Sequence, residues 1–236
     1  MALESFSSAS SASIAAAASQ RPVRRGQPLF EVLQKEIVLG SLRPMQALTE
    51  MDLAQRFGCS QGTVREALMR LSEEGLVKRL PNRGTHVAPC SVDDARALLK
   101  IRHEVECRHV DRVVTRSDAR LRDDLHDLLN AMRNAARDGD EYLLSVRDRE
   151  FHARLFEAAD LPLVAPILTR CLIHNHRFKI LSSAPSRTLE ANAERHVPIL
   201  DALAAGNAAR LRDLLSHHIA TIVDFGPDLS DGEALP

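Results

Sequence analysis

Four residues of this chain are of the types that hold a divalent cation: Asp148, His152, His196 and His218. Asp148 and His152 stand four apart, so a helix projects both from one face. With His196 and His218 on later helices, one carboxylate and three imidazoles from three helices suit an ion of borderline softness, Zn, Ni or Mn. Spacing alone leaves this open. The chain holds ten histidines, His174, His176 and His217 compete for the same role, and an Asp-x-x-x-His pair is also what a solvated helix face presents. Arg102 falls among Leu98, Leu99, Ile101 and Val105. A guanidinium on the inner side of an apolar bundle needs an anion. The residues alone favour an internal pair with Glu106 over a ligand carboxylate gripped bidentately.

A second constellation lies in residues 49–71. Thr49 is a good helix N-cap, because its hydroxyl can accept from an orphan amide of the first turn. Leu53, Ala54 and Phe57 then share one face, and Gly58 supplies the left-handed residue that stops the helix. Ser60 caps a second helix whose Val64, Ala67, Leu68 and Leu71 recur at helical spacing. Its polar first turn is the part that a helix-turn-helix offers to base edges in the major groove. Gln61, Thr63 and Arg65 are candidates there, since Gln reads adenine and Arg reads guanine bidentately, each worth ~1–3 kcal/mol of discrimination. Thr49, Ser60 and Arg70 are further candidates for DNA contact. Without the surrounding elements, the same pattern describes an ordinary amphipathic helix.

Those surroundings are present. The periodicity predicts a helix over 29–39, with Leu29, Leu33, Ile37 and Val38 inward. Leu76–Leu80 and Thr85–Val87 read as two strands around the turn Pro81-Asn82-Arg83-Gly84. That is a wing, with Arg83 and Gly84 at its tip, placed for phosphate or a minor groove. From Ser91 onward only helices are expected, at 91–115, 118–137, 141–159, 161–182, 187–205 and 207–224, with kinks at Pro166 and Pro198. The expected fold class is mainly α: an N-terminal winged helix-turn-helix over 28–89 and an all-helical antiparallel bundle over 90–226 for ligand binding and dimerisation. Residues 1–27 form a Ser/Ala-rich tail expected to be disordered, and 227–236 form a C-terminal tail. Arg21, Arg24 and Arg25 could touch DNA as a basic arm, although a solvated tail is the simpler reading.

Composition narrows the class. Net charge is −1 over 236 residues, which argues against a generic polyanion binder. Residues 21–90, however, hold eleven basic against seven acidic residues, and the remainder twenty against 25. A basic N-terminal third on an acidic remainder fits a DNA module coupled to something else. Without Trp and with one Tyr, the chain offers no aromatic platform for single-stranded bases. Its four cysteines are scattered, the usage of a cytoplasmic protein with reduced thiols. No apolar run approaches the ~20 residues that span a bilayer.

In these motifs the chain resembles the GntR family of transcription regulators, specifically its FadR subfamily with an FCD effector domain. The resemblance spans residues 28–225. It rests on Leu48-Thr49-Glu50-Met51-Asp52-Leu53-Ala54, Val64-Arg65-Glu66-Ala67-Leu68, Leu71, Glu74-Gly75-Leu76-Val77 and Pro81-Asn82-Arg83-Gly84 in the first half. In the second half it rests on Arg102 with Glu106, Asp148-Arg149-Glu150-Phe151-His152, Ala158-Ala159-Asp160-Leu161-Pro162-Leu163, and Glu194-Arg195-His196 with Ile199. His218 lies 22 residues beyond His196, the usual spacing of the metal-binding branch. The resemblance implies Asp148, His152, His196 and His218 as metal ligands, prefers His218 to His217, and implies that Arg102 binds a carboxylate effector near the ion. It departs from the pattern at Gln61, commonly Arg, and at Asp160-Leu161, often Gly-Asn.

The resulting expectation is a homodimeric, ligand-responsive regulator, more a repressor than an activator. Its partners would be double-stranded operator DNA and a small organic carboxylate, with no membrane. One alternative is a regulator that senses the metal itself. The alternative from another class is a metal-dependent hydrolase, for which Glu150 and Glu194 are the nearby acids that could act as a base.

Overall fold

The computed structural model describes residues 29–80, 84–182 and 188–222. The expected tails, the Arg21/Arg24/Arg25 arm, Arg83 and the break around Pro185 lie outside the described residues. The order of elements is α1 Leu29–Val38, β1 Ala47–Leu48, α2 Glu50–Phe57, α3 Gln61–Glu73, β2 Val77–Leu80, β3 Gly84–Val87, then α4 Val92–Arg108, α5 Val110–Thr115, α6 Ala119–Arg137, α7 Glu141–Glu157, α8 Ala165–Ser182, α9 Leu189–Glu194, α10 Val197–Ala204 and α11 Ala208–Ala220. The fold is mainly helical, with the winged helix-turn-helix ahead of the bundle as expected.

The local signals work as read. The Thr49 hydroxyl accepts from the Asp52 amide, the Ser60 hydroxyl from Thr63, and the Ser91 hydroxyl from Asp94. Gly58 ends α2 at φ 62°, ψ 37°. The inward face of α1 is Phe30, Leu33, Ile37 and Val38, with Leu29 half-buried. The sheet has one strand more than expected. Ala47 pairs with His86 and Leu48 with Thr85, giving the order β1-β3-β2. The extra strand satisfies the outer edge of β3, which a two-stranded wing leaves unpaired.

Three of the expected bundle helices differ. The 91–115 helix breaks at His109 into α4 and α5. The 161–182 helix begins at Ala165, so Pro166 sits in its first turn, where a missing N–H leaves no bond unmade. The 187–205 helix breaks between α9 and α10, with Pro198 in the first turn of α10. Proline cannot donate to a carbonyl four residues back and its ring crowds that carbonyl, so the chain closes a tight turn (His196 N to Ala193 O, 3.2 Å) and starts again.

Two apolar cores result. One lies within the N-terminal module and the other within the bundle. Helix α8 belongs to both: its Leu168, Leu172 and Phe178 join the bundle core, whereas Ile173 joins the module's. Arg177 of α8 is fully buried and donates to the carbonyls of Ala88 (2.7 Å) and Pro89 (3.2 Å), the residues that link the two halves.

Gly58 and Gly75 test this architecture differently. Both need a left-handed backbone, but a methyl at Gly58 meets open space, whereas one at Gly75 (φ +75°) falls 2.3 Å from the Arg170 guanidinium of α8. Gly58→Ala is expected to cost about 1–2 kcal/mol through the backbone alone. Gly75→Ala is expected to cost slightly more, because the exposed end of the Arg170 side chain must also swing aside. Urea unfolding of the two variants checks the order.

Candidate metal centre and nucleic-acid interface

Helix α7 carries Asp148 and His152 one turn apart, and α11 presents His218. His196 stands at the start of α10, and its side chain makes no capping bond. The break before Pro198 is therefore what turns this ring inward. The donor atoms of Asp148, His152, His196 and His218 all lie within 4.8 Å of one another. The closest approaches are His152 Nε2 to His218 Nε2, 3.2 Å, and His196 Nε2 to Asp148 Oδ2, 3.3 Å. The three rings are buried, and Phe151 packs edge-on against His152 and His196, with centroids 5.7 and 4.9 Å away.

The outer partners assign the tautomers. His152 Nδ1–H donates to Glu106 Oε2 at 2.6 Å, and His196 Nδ1–H donates to the Ala193 carbonyl at 3.0 Å. Both rings then turn a bare Nε2 toward the centre, as ligating histidines do. His196 Nε2 and His218 Nδ1 are buried without a hydrogen-bond partner among the described residues, and Asp148 Oδ1 is met by the His176 ring nitrogen at 3.1 Å. Three imidazoles and a carboxylate, converging and under-satisfied, fit a divalent ion of borderline softness.

Electrostatics agree. Burial lowers His152, and burial with the neighbouring His196 and His152 rings lowers His218 well below the usual imidazole range. Burial alone would raise Asp148, but His176 and His196 hold it well below the usual carboxylate range. Neutral rings and an ionised carboxylate are the forms that ligate.

Arg102 and Glu106 also meet expectation, with one addition. Arg102 is fully buried, and its Nε donates to Glu106 Oε1 at 2.5 Å. Glu106 thereby spans Arg102 and His152. The two remaining guanidinium nitrogens of Arg102 have no hydrogen-bond partner among the described residues, so the internal pair leaves one edge of the guanidinium unfilled. Burial pushes the Glu106 carboxyl up, but Arg102 and His152 outweigh it and hold it at about 2.

Of the competing histidines, His217 is exposed, and His174 Nε2 donates to the Glu74 carbonyl at 2.9 Å. His176 was the residue that sequence reasoning undervalued. Its Nε2 lies 3.1 Å from Asp148 Oδ1 and its Nδ1 lies 3.1 Å from the Ser145 carbonyl. Glu150 and Glu194 are exposed and pair with Arg147 and Arg133, so neither acid turns toward the centre. A small opening of about 20 Å³, space for about one water, lies on the His176 side of Asp148 between Ser145, Lys179 and Asn192, and none of the three histidine donors lines it. A groove of about 950 Å³ lies elsewhere, lined by apolar residues that include Leu98, Ile101, Phe156, Leu161 and Ile167.

In the N-terminal module, Gln61, Thr63 and Arg65 are exposed together on the first turns of α3. Glu50 holds Arg65 by its Nε (3.1 Å) and by a terminal nitrogen (2.7 Å). The Thr49 and Ser60 oxygens are engaged as caps. Arg70 stacks over the Phe30 ring at 3.9 Å, two turns further along α3. Gly84 opens β3 at φ +76°.

Residues 97–221 match the FCD domain, and residues 26–87 match the bacterial regulatory proteins of the gntR family. The chain belongs to the GntR family. It is 30% identical over 200 residues to the HTH-type transcriptional regulator BphR of Paraburkholderia xenovorans, covering 82% of each chain. It is 27% identical over 200 residues to the HTH-type transcriptional repressor RspR of Escherichia coli, covering 83% of this chain and 86% of that one. Among solved structures, a GntR transcriptional regulator from Rhodococcus sp. RHA1 aligns with TM-score 0.67 and 26% identity over 86% of this chain and 97% of its own. E. coli McbR/YncC shares the fold, with TM-score 0.68 and 21% identity over 81% and 91% of the two chains. This GntR-family protein is a DNA-binding transcription regulator with an FCD domain, not an enzyme. No helix among its described residues is long and apolar enough to cross a membrane.

The depressed Glu106 carboxyl has a pH signature. A carboxyl held below its unfolded value of 4.5 stabilises the fold above that pH, and the contribution is lost as pH falls from 4.5 toward 2. The shift corresponds to about 3 kcal/mol. Urea unfolding of the ion-free protein between pH 5 and pH 2 is expected to lose that much more stability in the wild type than in Glu106→Gln.

Proposed function

We propose that this regulator is a homodimeric repressor whose FCD bundle holds a divalent ion on Asp148, His152, His196 and His218 and answers to a small carboxylate. The observation that carries this reading is the convergence of four donors, with under-satisfied atoms on Asp148, His196 and His218, close to a buried Arg102 with two unpaired nitrogens. Zn, Ni and Mn suit the donor set. When bound, the ion supplies a fixed positive charge and coordination sites that a carboxylate can share. Arg102 grips the carboxylate with its open edge, and Glu106 keeps both Arg102 and His152 oriented. The repressor role is the one named for RspR. Because the three histidine rings and Arg102 are buried, an organic acid reaches them from solvent only if the helices around them separate, and that movement is what makes binding a signal.

On the DNA side, the first turn of α3 and the wing are proposed to enter the grooves. Gln61, Thr63 and Arg65 would face base edges, Thr49, Ser60 and Gly84 the backbone, and Arg83 the wing's contact. Arg70, stacked on Phe30, would reach only a flanking phosphate. Two such modules reading a palindrome require a two-fold dimer. Ile101 of α4 and Ile167 of α8, exposed by 43 and 49%, line the apolar groove, and Leu163, 89% exposed, lies in the link before α8; together they support that face as the contact between copies.

The domain limits proposed are 28–89 and 90–226, with Arg177 fixing the joint between them. Elemental analysis and a thermal-shift screen of small carboxylates test the effector site. The wild type is expected to carry an ion and to be stabilised by at least one carboxylate only when the ion is present. The double variant His152→Ala/His196→Ala is expected to lose both, and a metal-free double variant that still answers a carboxylate refutes the reading. Leu163→Asp/Ile167→Asp is expected to run as a monomer in light scattering while keeping its ion. A dimeric variant would place the interface elsewhere.

A further inference from the structure

We propose that His176 is the positioning residue that couples the Asp148 corner of the ion site to the DNA-binding module, acting through α8. This rests on the ion-site reading above and extends it to the route by which occupancy is communicated.

The argument begins with Asp148 Oδ1. It lies 3.1 Å from His176 Nε2 and 3.9 Å from His152 Nε2, so this oxygen is shared between α8 and the donor cluster. An ion drawing the carboxylate toward three imidazoles changes its contact with His176. The ring cannot simply turn aside. It is buried, and its other nitrogen faces the Ser145 carbonyl. A displacement at Asp148 is therefore carried by α8 itself.

Helix α8 is fastened to the other half of the protein at the residues flanking His176. Arg177, adjacent in sequence, clamps the Ala88 and Pro89 carbonyls. His174 donates to the carbonyl of Glu74, the C-cap of the recognition helix α3. Ile173 sits in the module's core, and Arg170 lies against Gly75. One rigid helix thus touches a proposed ligand, the end of α3 and the joint between domains within two turns. Coupling needs such a contiguous element with contacts at both ends. Asp148 is also the one donor of the four with appreciable side-chain exposure, 14%, so it is the donor with room to move.

Hydrogen exchange at the joint tests this, with Zn²⁺ alone as the probe. The Ala88 amide bonds the Leu76 carbonyl at 2.8 Å beside the Arg177 clamp, and the Leu76 amide bonds Leu71. Zn²⁺ is expected to change the exchange of these two amides relative to those of α6 in the wild type. His176→Phe is expected to take up one Zn²⁺ with affinity about tenfold weaker and to lose that change. His176→Gln, which keeps a donor toward Asp148, is expected to regain it. His174→Phe, which touches no ligand, is expected to bind Zn²⁺ at wild-type affinity and to lose the change at Leu76, and it decides the matter if His176→Phe does not fold. A response that persists in His176→Phe, or is absent from a wild type that binds Zn²⁺, overturns the coupling and leaves the ion site standing. A wild type that takes up no Zn²⁺ overturns both.

Discussion

A guanidinium and a carboxylate inside an apolar bundle are expensive to desolvate, and they persist only where each has a partner. Arg102, Glu106 and His152 meet that demand in series, Arg102 to Glu106 and Glu106 to His152. The series fixes which nitrogen of His152 is bare, and so makes the ring a donor. It also fixes the azimuth of α4 against α7, because neither charged group can rotate away without being left unpaired. The bundle's apolar contacts tolerate small slides; this buried polar series does not. Such networks give specificity of arrangement more than net stability. Here the specified arrangement is the one that brings α7, α10 and α11 together around a common point.

The same logic recurs at the joint between domains. Arg177 is as deeply buried as Arg102, but its partners are two backbone carbonyls rather than a carboxylate. Those carbonyls belong to the link after β3, whose groups would otherwise be buried without donors. Ile173 in the module's core adds apolar area to the polar clamp. The two halves are consequently not beads on a flexible string. A GntR-family regulator needs this, because a change in its effector domain matters only if it alters how the DNA-binding modules are held.

What was legible in the sequence was what depends on neighbours in the chain. Thr49, Ser60 and Ser91 announce helix starts because capping is a contact with an amide three residues on. Gly58 announces a stop because the left-handed conformation is a property of one residue. Asp148 and His152 announce a shared face because helical spacing does. The elements missed depend on distant partners or on positions that read two ways. Two residues, Ala47 and Leu48, are too few to show a strand's alternation, and only β3 makes them one. Pro198 is compatible with a kink inside a helix or with the first turn of a new one, and the need to turn His196 inward is not visible locally. Arg177 looks like any helical arginine until residues 88 and 89 are brought beneath it. His176 was visible only as one of several histidines, since nothing in its own stretch records its distance from Asp148. Asp160, where the family pattern that the chain resembles often has glycine, adopts φ +53°, and its carboxylate pairs with Arg116 at 2.7 Å. The departure from the family pattern is thus a strained turn held by an ion pair.

The burial of the centre bears on what kind of device it is. The three histidine rings and Arg102 are closed off from solvent, so an organic acid has no open path to them in the arrangement described. A catalytic site must admit substrate and release product repeatedly, and it needs a base near the reacting atoms; Glu150 and Glu194 are both engaged at the surface. A closed site with an unpaired guanidinium edge at its side has a different character. Its occupant is admitted only by displacing helices, so the free energy of filling that edge is linked to the free energy of moving them. The helix most directly linked is α8, because Asp148 lies 3.1 Å from its His176 and because its own residues join both cores. The same burial that closes the centre to a freely exchanging substrate would, on the proposed reading, let its occupancy be felt along α8.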